Sequence, residues 1–126
     1  MIKIHTEKAP AAVGPYSQAI VSGGMVYTSG QIAIDPVTNT IAADTIEGQT
    51  EQIMKNLAAV LETAGSSFDK AVKTTCFLAD MNDFAAFNEI YGKYFTSLPA
   101  RSCVAVKTLP KGALAEVEVI AESSLR

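Results

Sequence analysis

Few of the 126 residues carry groups suited to chemistry. Arginine occurs twice, at Arg101 and at the C-terminal Arg126, and histidine once, at His5. Arg101 opens the run Arg101-Ser-Cys-Val-Ala-Val106, directly after Pro99-Ala100. Strand alternation puts Arg101, Cys103 and Ala105 on one face. A guanidinium in such company needs an anion, since a buried unpaired charge costs several kcal/mol, and its planar fork matches a carboxylate bidentately. That carboxylate is either internal, with Glu116 or Glu118 completing a structural salt bridge, or it belongs to a ligand. The residues alone leave both open.

Glu116 and Glu118 sit in Ala115-Glu-Val-Glu-Val-Ile-Ala121, where apolar Ala115, Val117, Val119 and Ala121 alternate with Glu116, Glu118 and Ile120. In a partly dry site a carboxylate there acts as a general base or orients water. On a solvated sheet face it does neither. Ser29 has no histidine to activate it, which favours a hydrogen-bonding role over a nucleophilic one. A lone histidine also argues against histidine-relayed nucleophiles and multi-histidine metal sites within one chain. Cys76 and Cys103 lie 27 positions apart in apolar runs, without CxxC spacing. Two reduced thiols are expected, not a zinc knuckle or a redox pair.

Composition narrows the partners. The chain is 48% hydrophobic and 18% charged, with a net charge of −3. The charged share is below the ~25% of typical soluble domains, as if copies of the chain covered part of its surface. Its length fits one domain over residues 1–126. The acidic balance, with no basic cluster, argues against a nucleic-acid partner. No apolar stretch approaches the ~18 residues that span a bilayer. Residues Met1 to Lys8 lack the apolar segment of a secretory signal. A cytoplasmic protein with no membrane partner is expected.

Local pattern supplies the elements that must position these groups. Gly23-Gly24 separates two β-rich runs, Ser17–Ser22 and Met25–Ile32, and predicts a tight hairpin. If Ser22 pairs with Met25, then Gln18 faces Ser29 and Tyr16 faces Gln31, a polar cluster on one side. Residues 46–64 follow a helical period, with Asp44 and Glu47 as a capping box and Gly65 as the stop. A strand over 71–79 follows. Asp80-Met-Asn-Asp83 then caps a second helix with Phe84, Phe87, Tyr91, Tyr94 and Phe95 inward. Strands over 101–109 and 113–121 complete the chain. The order predicts an α+β, two-layer domain, a mixed β-sheet with two helices on one face. The other face lacks cover, which self-association would supply.

Several stretches resemble the reactive intermediate deaminase (Rid) family. They are Ala9-Pro-Ala-Ala-Val-Gly-Pro-Tyr-Ser-Gln18, Tyr27-Thr-Ser-Gly-Gln31, Val72-Lys-Thr-Thr75, Asn88-Glu-Ile-Tyr91, Pro99-Ala-Arg-Ser-Cys-Val104, Leu109-Pro-Lys111 and Glu116-Val-Glu118. They occur in family order over nearly the whole chain. The resemblance implies a chorismate-mutase-like homotrimer with ligand sites between subunits. It implies hydrolysis of 2-imino and enamine acids, such as 2-iminobutanoate and 2-iminopropanoate, to 2-oxo acids and ammonia, with no cofactor and no metal. By the same resemblance Arg101 anchors the substrate carboxylate, and Glu116 activates water or exchanges protons. Tyr16, Ser29, Gly30, Cys103 and Asn88 line the cleft. The short connection Phe95-Thr-Ser-Leu-Pro99 departs from some members and bears on the cleft rim. The competing reading is a non-catalytic 2-oxo-acid sensor or regulatory partner protein, in which Arg101 serves equally and Glu116 is dispensable.

Overall fold

Both residues of the Gly23-Gly24 turn have positive φ, 60° and 77°, the backbone shape whose twist matches a two-residue hairpin. The computed structural model describes residues 1–126. The turn joins β2 (Ala19–Ser22) to β3 (Met25–Thr28), with Ser22 opposite Met25 and Ala19 opposite Thr28, the predicted register. Before it, β1 (Ile2–Ile4) adds an edge strand that the sequence pattern did not announce. After it, β4 (Ile34–Asp35) and β5 (Thr40–Ile41) form a small separate ribbon.

Helix α1 (Ile46–Thr63) starts at Thr45, whose hydroxyl accepts from the Gly48 N–H at 3.1 Å. The predicted Asp44 capping box is therefore displaced by one residue. Thr45 is the position whose side chain reaches the unpaired amides of the first turn. At the other end Gly65 has φ 69°. Ser66 donates its N–H to Leu61 O and Gly65 to Glu62 O, the paired bonds of a left-handed helix stop.

Strand β6 (Ala71–Leu78) leads through a 3₁₀ turn, Met81–Asp83, into α2 (Phe84–Tyr94). Asp80 caps that turn by accepting from the Asn82 N–H at 2.8 Å. Strand β7 (Ala100–Ala105) ends four residues earlier than the pattern predicted, and β8 (Ala115–Glu122) follows the Pro110–Gly112 turn. The sheet runs β1-β2-β3-β8-β6-β7, with β6 and β7 parallel and the other pairs antiparallel. Both helices pack on one face. There Ile53, Leu57, Val60 and Leu61 of α1 and Phe87 of α2 are fully buried with Val21, Val26, Val117 and Leu78 of the sheet. This is the α+β arrangement expected. Of the five aromatics predicted inward, Phe87, Tyr91 and Phe95 are buried, while Phe84 and Tyr94 are only half-buried. No helix is long and apolar enough to cross a membrane.

The opposite sheet face carries Ile20, Tyr27 and Ile120 in one cross-strand row and Phe77, Glu116 and Val104 in another. Tyr27 and Val104 remain nearly half exposed.

Candidate functional site

The geometry around Glu116 begins with a slip in strand pairing. Tyr27 lies opposite Ile120, but Gln31 lies opposite Val117, four residues along one strand against three along the other. The extra residue makes a β-bulge, a device that re-aims side chains. Thr28 helps close it, because its hydroxyl accepts the Val119 N–H at 3.0 Å. Gly30 sits in the bulge directly over Glu116, where any β-carbon would overlap the carboxylate. Any larger residue there would have to push the Glu116 carboxylate aside, so glycine lets the backbone approach it closely.

Tyr16, Ser29, Gly30 and Glu116 line one cleft of about 660 Å³, together with Gln18 and Gln31. The four polar side chains expected from the hairpin register do line one cleft, but the pairing stops at Ala19–Thr28, and the bulge sets Gln31 opposite Val117 instead of Tyr16. Tyr16 is half exposed at its mouth. Ser29 donates its hydroxyl to Ser17 O at 2.6 Å, which commits its proton to the backbone. Burial holds the Glu116 carboxyl above the usual glutamate range, and the neighbouring Glu118 pushes it the same way. A carboxylate so raised is a stronger base than an exposed glutamate.

Buried polar side chains brace this cleft. Gln18 accepts the Thr6 N–H and donates to Thr6 O and Pro10 O, pinning the segment that leads to Tyr16. Asn56 of α1 donates to Ile32 O and Ile34 O, and Gln49 accepts the Leu114 N–H just before Glu116. The helix thereby holds both walls. Sequence reasoning missed Asn56 and Gln49. Their only signal was a polar side chain on the apolar stripe of α1.

Arg101 is elsewhere. Register pairs it with Thr74 of β6, and Thr74 with Val119 of β8, all on the face covered by the helices. Its guanidinium donates to Asn88 Oδ1 at 2.6 Å and lies over the Tyr91 ring. Glu116 pairs with Phe77 on the opposite face. This overturns the internal salt bridge to Glu116 or Glu118, because strand alternation sends those carboxylates and Arg101 to opposite sides of one sheet.

Cys103 shares the face of Arg101 and lies directly opposite buried Cys76. Burial raises the Cys103 thiol while Arg101 pulls it down, and burial pushes Cys76 up to about 12. Both cysteines are free thiols. No cluster of three or more His, Cys, Asp or Glu side chains is gathered as a metal site. The seven residues singled out thus form two groups: Tyr16, Ser29, Gly30 and Glu116 in the cleft, and Asn88, Arg101 and Cys103 across the sheet.

A model of the family described as Endoribonuclease L-PSP matches residues 6–123. The chain belongs to that family. Rid proteins are among its relatives: a solved structure from the conserved Rid family of Yersinia pestis is 51% identical, covers 96% of this chain and 98% of that one, and superposes with a TM-score of 0.93. Escherichia coli TdcF, solved with bound serine, is 42% identical with a TM-score of 0.92, covering 98% of this chain and all (100%) of the other. Mouse 2-iminobutanoate/2-iminopropanoate deaminase is 48% identical over 119 residues, which are 94% of this Rid-family chain and 88% of the mouse protein.

Proposed function

We propose that the protein hydrolyses 2-imino acids such as 2-iminobutanoate and 2-iminopropanoate to 2-oxo acids and ammonia, in clefts between the subunits of a homotrimer. The observation that carries this reading is the division of the site residues. The Glu116 cleft has a raised carboxyl but no arginine, and the Arg101 hollow has a guanidinium but no carboxylate. One copy's Arg101 set against the next copy's Glu116 completes an anion anchor and a base. The open sheet face, with Tyr27 and Val104 exposed, is the surface such packing would bury.

The chemistry then needs few groups. Arg101 holds the substrate carboxylate, which places the C2 carbon over the Glu116 cleft. Glu116 removes a proton from water as the water oxygen bonds to C2 and the C=N π pair moves to nitrogen. The protonated Glu116 returns that proton to nitrogen. Glu116 then takes the carbinol hydroxyl proton and passes it to the nitrogen, so that C=O forms as the C–N bond breaks, releasing ammonia and the 2-oxo acid. Positioning contributes several kcal/mol of such a barrier, and a placed base roughly 10²–10⁴-fold. Support for the substrate class comes from the mouse relative, named for these two imines, and from the serine bound to TdcF, an amino acid of comparable size.

The family description names an endoribonuclease. RNA binding draws on clustered cations, and the Glu116 cleft is lined by one, Lys111. The test is release of 2-oxobutanoate from imine generated by a threonine dehydratase, with and without the protein. Acceleration that is lost in Glu116→Gln is expected. No acceleration, with 2-oxobutanoate still bound, would leave the sensor reading in its place.

A further inference from the structure

Arg101 is held without being neutralised. Its guanidinium carbon lies 4.7 Å from the Tyr91 ring centroid and 5.4 Å from that of Phe84. Nη1 donates to Asn88 Oδ1 at 2.6 Å. Phe84, Asn88 and Tyr91 stand at i, i+4 and i+7 on α2 and so form one stripe of the helix. Two aromatic faces and a neutral amide oxygen orient a cation but do not cancel its charge. Tyr91 is itself fixed. Its hydroxyl shares a 2.7 Å hydrogen bond with buried Thr74, the residue paired with Arg101 across the sheet, and its ring stacks on Phe95.

We propose that Phe84, Asn88 and Tyr91 are positioning residues that aim the Arg101 fork at a ligand carboxylate while leaving its charge uncancelled. The inference rests on the reading of Arg101 as that carboxylate's anchor, and it makes Asn88 act through Arg101 rather than on the ligand. An amide at position 88 is the telling feature. Aspartate there would have nearly the same shape and a stronger, charge-assisted bond, but it would occupy the guanidinium that the ligand needs.

The experiment is calorimetric titration of the native assembly with 2-oxobutanoate, beside melting temperatures. Asn88→Asp is expected to bind at least tenfold more weakly than wild type, with its melting temperature unchanged or raised. Tyr91→Leu is expected to bind roughly fivefold to twentyfold more weakly. Tyr91→Phe, which keeps the ring but also loses the Thr74 bond, is expected to bind at least threefold tighter than Tyr91→Leu. Equal affinities for Asn88→Asp and wild type, or for the two Tyr91 variants, would overturn the cradle. So would losses of affinity that follow falls in melting temperature in every variant. Should Tyr91→Leu fail to fold, Asn88→Asp decides alone. Wild-type binding without imine hydrolysis removes the hydrolase reading and leaves the cradle standing. Hydrolysis with an unchanged KM in Asn88→Asp does the reverse.

Discussion

Glu116 shows how a single partly buried carboxyl ties stability to pH. Burial and Glu118 raise its carboxyl in the folded protein, so the folded state keeps a proton that the unfolded chain has already lost. Stability therefore falls as pH rises from the ordinary glutamate range through the raised value, and stays lower above it. Glu116→Gln removes that penalty. Its melting temperature is expected to exceed wild type at neutral pH and to converge with it in acid, while imine hydrolysis drops roughly a hundredfold. A melting curve that responds to pH as wild type does would show that Glu116 is not the titrating group. Arg101 poses the converse question. Arg101→Lys keeps the charge but loses the fork, and a lost charge-assisted contact costs ~1.5–3 kcal/mol, roughly tenfold to a hundredfold in kcat/KM. Unchanged efficiency with a lowered Tm would make Arg101 structural.

At the scale of elements, the site depends on where strands stop and helices end. The bulge at Thr28–Gly30 takes the chain out of regular alternation and sets Gly30 against Glu116. The stop of α1 is as local. Gly65 has φ 69°, and a β-carbon there would meet Ser124 Oγ at 2.6 Å and Leu125 Cγ at 3.1 Å. Gly65→Ala is therefore expected to destabilise by about 1–2 kcal/mol, from left-handed strain and displacement of the C-terminal segment. Chemical denaturation would read this as a lower midpoint at unchanged slope. Activity per folded molecule should survive, since the stop lies at the far end of α1 from Thr45 and the bracing Gln49.

At the scale of the molecule, one chain carries Arg101 and Glu116 on opposite faces of one sheet. The proposed trimer should have a mass about three times 13.3 kDa by light scattering. A sharper prediction concerns mixtures. Arg101→Ala and Glu116→Ala proteins, each inactive alone, are expected to regain activity when unfolded together and refolded. In random trimers roughly a quarter of the interfaces join an intact Arg101 to an intact Glu116. No recovery in mixed trimers would mean that both groups serve the same protomer's site, against their placement on opposite sheet faces.

Local rules account for what could be read from the chain. The Gly23-Gly24 spacer determined a hairpin register, because a two-residue turn leaves one pairing. The 3.6-residue period of 46–64 determined α1, because burial of one stripe does. Family motifs pointed to Arg101 and Glu116. What alternation could not tell is which face of the sheet each strand turns toward the helices, since a period of two fixes relative and not absolute orientation. Only packing decided that Arg101 goes under α2 and Glu116 to the open face. The aromatics of α2 read equally well as core, and Phe87 is that. Tyr91 and Phe84 also flank a cation because β7 lies alongside β6, a parallel pairing between segments separated by a whole helix. Contacts of that range depend on the fold as a whole, and no window of neighbouring residues contains them.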